Sequence, residues 1–198
     1  MPFSPVPVRF FSFLPFGSVL LWVVVISGCS PRFDWREIPL ADVGLTVLLP
    51  CKPDRGERAV TLAGQPAVIR MAGCDAGGAT FAVAYTPVLN MTEAAVVQNQ
   101  WYEATRHNIR AADTGPPLPG KGTPYSPPGA AAMPPPMLVT LHGQRPGSPT
   151  GTTKNVTAYA AWHTRTAGAA VYVVHAVMYS ERNEPEATET FFSGIQMR

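Results

Sequence analysis

Between Gly115 and Pro136 the chain carries nine prolines, and no other stretch limits its folding so severely. Each proline removes a backbone donor and fixes φ near −65°, so neither a helix interior nor a central strand survives such a density. The Pro/Gly-rich stretch 113–136 is therefore expected to be an extended loop with polyproline character. Loops of this length are usually functional or disordered. Two uses compete: a mobile linker, which the composition favours, and a docking site for a proline-reading partner. Either way, regular structure has to be sought separately in the residues before and after it.

Before the loop, short β-branched runs alternate with turn residues. Trp35 to Leu40 and Leu45 to Leu49 are strand candidates, the second bounded by Gly44 and Pro50. Lys52-Pro53-Asp54-Arg55 has the form of a type I turn. Arg58 to Ala63 and Pro66 to Cys74 flank Gly64-Gln65, which predicts a two-residue hairpin. After the turn Ala76-Gly77-Gly78, Ala79 to Val88 alternates Phe81, Val83 and Tyr85 with small residues. The simplest arrangement is an up-and-down meander. Asn90 and Glu93 then form a capping pair. Ala94, Val97, Trp101, Ala104, Asn108 and Ile109 recur at helical spacing, which predicts a helix over Thr92 to Ala111 with its Trp101 stripe in the core. Gln98, Gln100, Glu103 and Arg106 are expected outward.

After the loop, Met137 to Gln144, Asn155 to Thr166 and Ala169 to Ser180 are strand candidates. Val171 to Met178 is apolar at both alternating sets of positions, the pattern of a strand in mid-sheet covered on each side. Glu186 to Met197, with Phe191, Phe192 and Ile195, predicts a closing helix. Strands, a crossover helix, more strands and a final helix give the α+β class, a mainly antiparallel sheet flanked by helices. Gly44 to Pro50 following the aromatic pair near Trp35, the helix after Tyr85 to Val88, and the closing Thr188 to Ile195 resemble the PsbP/Mog1-type sandwich. The Leu49–Asp54 stretch together with Gly73-Cys74 resembles uncharacterised proteobacterial lipoproteins. Members of these groups assist assembly of envelope or photosynthetic complexes, or have no known role, and catalysis is not their hallmark, so the resemblance implies a non-catalytic accessory role with an envelope protein as partner.

At the N-terminus, Val19 to Ile26 is unbroken and apolar, and Ser27-Gly28-Cys29-Ser30 follows. A secretory signal needs an apolar core of about 7–15 residues and small residues at the cut. Ile26-Ser27-Gly28-Cys29 resembles the lipobox of bacterial lipoproteins. The resemblance implies that residues 1–28 are a signal peptide, that Cys29 carries lipid, and that 29–34 tether a single domain, 35–198. Ser30 in place of aspartate implies the outer membrane rather than the inner. The competing reading is an inner-membrane protein with a retained helix. No residue from Phe10 to Pro31 is charged, and roughly 20 apolar residues span a bilayer; Pro15, Gly17 and the serines interrupt that run.

Assigning Cys29 to lipid leaves Cys51 and Cys74, an even pair. In an oxidising compartment a disulfide is its default state. In the meander the two would fall at the same end of strands one and three, about 10 Å apart. A disulfide needs Cα atoms within about 7 Å. The turns must then lean together, or the strand order must differ.

The remaining chemistry is sparse. Of 15 basic residues only Arg9 precedes Cys29, leaving 14 against 13 acidic, so there is no electrostatic case for nucleic acid. Gly115 to Gly122 imitates a phosphate loop, but three of the four residues between Gly115 and Gly120 are proline and lack the N–H groups that cradle phosphate. No GxSxG elbow occurs. No histidine stands at ligand spacing from either cysteine, so neither a metal nor a cofactor is expected. Among His107, His142, His163 and His175, the last lies within an apolar strand and is expected in the core. Asp42, Asp54 and Asp75 fall near turns. The leading expectation is a non-catalytic envelope lipoprotein; the alternative is a small periplasmic enzyme built on His142 and His163 with a nearby carboxylate.

Overall fold

The computed structural model of the chain describes residues 31–111, 125–147 and 154–197. Its strands and helices are β1 (Arg36–Leu40), β2 (Leu45–Leu49), β3 (Asp54–Leu62), β4 (Gln65–Ala76), β5 (Ala79–Val88), α1 (Met91–Asn108), β6 (Met137–Gln144), β7 (Asn155–Ala167), β8 (Ala170–Ser180), α2 (Pro185–Ser193) and β9 (Gln196–Met197). A 3₁₀ turn, Ala41–Val43, joins β1 to β2. The class is α+β, with antiparallel sheets and two α-helices among the described residues.

The strands fall into a three-stranded sheet, β1-β2-β9, and a six-stranded sheet, β3-β4-β5-β8-β7-β6. The large sheet is two three-stranded meanders joined where β5 pairs antiparallel with β8. Helix α1 makes the crossover between them. Strand β8 lies in mid-sheet because both of its alternating faces are apolar. Val173 and Val177 meet Val97 and Tyr102 of α1, while Val174, Ala176 and Met178 pack beneath the small sheet and α2.

The expected turn at Lys52–Arg55 does not form, because Asp54 and Arg55 already belong to β3, opposite Gly73 and Ala72, and three further sequence expectations are corrected here. The first concerns the meander: β2 does not continue into β3 within one sheet but belongs to the small sheet, stacked on the face that carries Ala72, Phe81 and Met178. Cys51, just past β2, therefore approaches β4 from the layer above instead of from two strands away. The Cys51–Cys74 disulfide spans 6.1 Å between Cα atoms and staples one layer to the other. Secondly, the hairpin turn is Ala63-Gly64, with Leu62 opposite Gln65; both turn residues have positive φ, 49° and 76°, as the right-handed twist of the flanking strands requires. Thirdly, the closing helix stops at Ser193. Gly194 lies against β2, where a Cβ would come within 2.6 Å of Leu48, and its carbonyl accepts from the Leu48 amide at 3.2 Å. The chain then pairs Gln196 with Thr46 as β9.

Helix α1 is capped as its sequence predicts, Asn90 Oδ1 accepting from the Glu93 amide at 2.9 Å. Ala94, Val97, Trp101 and Ile109 lie in the core as expected, but the buried face is wider on one side and narrower on the other than the stripe predicts. Gln98, Tyr102 and Thr105 are inside, whereas Ala104 and Asn108 are exposed. Gln98 is held inside by the end of the proline-rich stretch, its Nε2 donating to the Pro135 carbonyl at 3.0 Å; Tyr102 packs edge-on against Trp162 at 5.6 Å, and the Thr105 hydroxyl donates to the Trp101 carbonyl at 2.9 Å. Residues 112–124 of that stretch lie outside the described part. Residues 125–136 are docked: beyond the end of β6, the Ala131 amide bonds the Thr164 carbonyl on the open edge of β7 at 2.6 Å.

The stretch 31–34 is likewise engaged with the body. Arg32 bonds Glu184 and the Gly77 carbonyl, and the Phe33 ring packs on Phe81 at 6.0 Å. Cys29 lies outside the described residues.

The layer-to-layer position of the disulfide carries an expected result. Replacing Cys51 and Cys74 together by alanine should cost about 3 kcal/mol, the loop-closure contribution for a loop of this size. Urea unfolding of the oxidised protein and the double variant measures it, and equal midpoints would refute the structural role.

Candidate functional site

Strand β7 alternates, and its sequence sends polar side chains to a place where a core is being built. Ala158, Ala160 and Trp162 turn toward α1, whereas Tyr159, Ala161, His163 and Arg165 share the face beneath the small sheet. His163 is completely buried and Arg165 is 6% exposed. Three elements roof them. The 3₁₀ turn and Gly44 lie over the guanidinium; Gly44 has φ 56°, and a Cβ there would stand 3.3 Å from Arg165 Nη2, so a bare Cα makes the room. Tyr125, from the docked end of the proline-rich stretch, sets its ring 6.1 Å from that of His163. Phe192 of α2 meets Tyr125 at the same separation.

Among the described residues, Nε and Nη1 of Arg165, both ring nitrogens of His163 and the Tyr125 hydroxyl are buried without a hydrogen-bond partner. Burial, and then the Arg165 charge, push the His163 pKa down to about 4, so the imidazole is neutral. Burial alone raises Tyr125 far above the ordinary phenol range and lowers Arg165. The buried cluster thus holds one permanent cation, a neutral imidazole and a phenol.

The one carboxylate on the roofing turn, Asp42, is engaged elsewhere. It accepts from the Tyr85 hydroxyl at 3.1 Å and pairs with Arg70 at 3.5 Å. Burial, followed by the Asp42 hydrogen bond, raises the Tyr85 pKa.

The residues singled out in the sequence do not all converge. His142 is exposed on β6, with Nδ1 3.3 Å from the Thr157 hydroxyl. His163 occupies the same sheet face but stands six residues further along β7 than Thr157, about 20 Å at strand rise. His107 is exposed near the end of α1. His175 lies in the core as expected. It is stacked on Trp162 at 4.5 Å and donates from Nδ1 to the Ala161 carbonyl at 3.0 Å. Asp75 faces the Thr80 hydroxyl. No group of three or more His, Cys, Asp or Glu side chains able to hold a metal occurs among the described residues.

Arg165 and Tyr125 escaped the sequence analysis. One signal was available: once Ala161 is placed inward on β7, period-two alternation carries Arg165 into the same core. Nothing local marks Tyr125, whose burial depends on where the proline-rich stretch docks.

A second concavity, of about 620 Å³, opens where β4 and β5 part beyond the Arg70–Tyr85 pair. Leu62, Val68, Pro87, Val88 and Val97 are among its lining. The β3–β4 hairpin leans over it toward α1, the Ala63 amide donating to Gln100 Oε1 at 2.7 Å. Leu89 at its rim is 82% exposed.

No helix among the described residues is long and apolar enough to cross a membrane. Compared with known proteins, the chain matches no family model and no curated protein.

Proposed function

We propose that this protein is a non-catalytic accessory of a bacterial envelope, exported, held on a membrane by lipid on Cys29 and working through binding. The observation that carries the reading is the Cys51–Cys74 disulfide. Bonds of this kind persist in oxidising compartments and are rare where thiols are kept reduced. The apolar run up to Ile26 and the lipobox-like tetrapeptide ending at Cys29 agree with it, as does the resemblance to PsbP/Mog1-type accessory sandwiches. Outer-membrane placement rests on Ser30. Two or more acyl chains at one terminus make such anchoring stable.

The proposal fixes an orientation. Arg32 is already bonded to Glu184 and Gly77, and only three peptide links separate it from Cys29. Three residues reach at most about 11 Å, so the corner built from Arg32, Gly77 and Glu184 faces the lipid surface closely.

Labelled palmitate supplied to a bacterial host is expected to enter the wild-type protein and to be absent from Cys29→Ala. Label of equal strength in that variant would overturn the anchor. Loss of label together with an intact Cys51–Cys74 bridge would leave export and anchoring supported as separate facts.

A further inference from the structure

The unpartnered groups of the β7 pocket point to a ligand independently of the membrane anchor. A guanidinium cannot shed its charge under ordinary conditions, so one taken from water needs an acceptor for its donors. Arg165 has Nε and Nη1 buried with none among the described residues. The one carboxylate on the roofing turn, Asp42, is bound by Tyr85 and Arg70. The other two members of the cluster bring donors and no negative charge: the Tyr125 hydroxyl, its ring 6.1 Å from that of His163, and the His163 imidazole, which offers one N–H and one bare nitrogen.

We propose that Arg165, His163 and Tyr125 form the binding site of a small free oxyanion, gripped chiefly by Arg165 and roofed by the turn at Gly44. Charge-assisted bonds to carboxylate or phosphate oxygens match a guanidinium better than any neutral acceptor does. The neutral imidazole adds a selection, because its bare nitrogen needs a donor from the ligand. Hydrogen phosphate and 2-hydroxycarboxylates carry a hydroxyl beside the anionic oxygens, and acetate does not. The near-complete burial of Arg165 and His163 excludes a large ligand.

Thermal unfolding of the full chain in detergent tests the assignment, with millimolar inorganic phosphate, lactate or acetate each matched in ionic strength by sodium chloride. A ligand that binds only the folded state raises Tm. Phosphate or lactate is expected to raise Tm by several degrees beyond chloride, and acetate by less. Whichever of the two acts more strongly identifies the source as phosphate or hydroxycarboxylate. Phosphate also stabilises proteins generally by exclusion from their surface, so Arg165→Met is the control; exchanging a buried charge for an apolar side chain of similar volume is often neutral or stabilising. The specific rise should vanish in it. A variant-free readout is the arginine Nε–H spectrum of the wild type, where one resonance should shift and become protected from exchange on adding the anion. Equal Tm responses in wild type and Arg165→Met, or arginine resonances unmoved by phosphate and lactate, would overturn the proposal.

Discussion

Taking the folded protein from pH 7 to pH 4 is expected to remove on the order of 5 kcal/mol of stability, most of it through two histidines. Burial lowers His163, with the Arg165 charge adding to the effect, and it also lowers His175 against a smaller opposing contribution from the Ala161 carbonyl; both stand at about 4. An unfolded histidine titrates near 6.5. Below that value the unfolded chain binds protons that the folded chain refuses, so stability falls with pH across the window from about 6.5 to about 4. Each pKa unit corresponds to about 1.4 kcal/mol, and a domain's whole margin is only about 5–15 kcal/mol. The loss is therefore about a third or more of that margin. The groups facing His163 are Tyr125 and Arg165, and His175 lies between the Trp101 and Trp162 rings; none of these is a carboxylate that could stabilise the charged imidazole. Urea midpoints measured in chloride buffers at pH 7 and pH 5 check the expectation. His175→Phe, which keeps an aromatic ring against Trp162, should flatten the pH dependence by roughly half. Midpoints that do not change with pH would refute it.

Much of the large sheet was legible in the sequence because its strands are written in period two. Met137–Gln144 and Ala79–Val88 fall where alternation and turn residues put them, and the doubly apolar Val171–Met178 run sits in mid-sheet. Partner choice was not legible. Leu45–Leu49 has the same composition as a strand of the main sheet. Only the wide crossing at Pro50–Pro53 places it in the upper layer, and the sequence there suggests nothing beyond a turn. The cysteine pair held the missing information. A separation of about 10 Å within one sheet was incompatible with a bridge, and the structure resolves the conflict by moving the first strand to another layer. The closing helix was over-extended because Ile195 continues its apolar spacing. Contact of Gly194 with Leu48 is tertiary and leaves no local trace. The β7 pocket was half legible for a similar reason. Alternation places His163 and Arg165 side by side, but the roof that buries them comes from Ala41–Gly44 and Tyr125, each distant in sequence.

Phe81→Ala is expected to destabilise the protein by about 3–5 kcal/mol, the usual range for deleting a buried phenylalanine when the cavity cannot fully collapse. Phe81 is fully buried on β5 and lies opposite Cys74 on β4. Its ring meets Trp35 edge-on at 5.8 Å and Phe191 of α2 at 5.5 Å, with Phe33 completing the cluster. Three parts of the chain distant in sequence thus converge on one side chain: the N-terminal stretch, the β4–β5 hairpin and α2. Collapse around the missing ring is restrained on the β4 side, where Cys74 is bonded to Cys51, so the upper end of the range is expected. The same geometry predicts where the damage appears. Trp35 lies within this cluster, whereas Trp101 and Trp162 lie on the α1 face of the large sheet. In the wild type, fluorescence and far-UV circular dichroism should report one urea transition. In Phe81→Ala, the Trp35 environment should open at lower urea than the backbone signal is lost, because the ring joins the small sheet to the large one and contributes little to hydrogen bonding within either. Coincident transitions with a cost below about 1.5 kcal/mol, the scale of a tolerated core swap, would mean that the two layers are held together elsewhere.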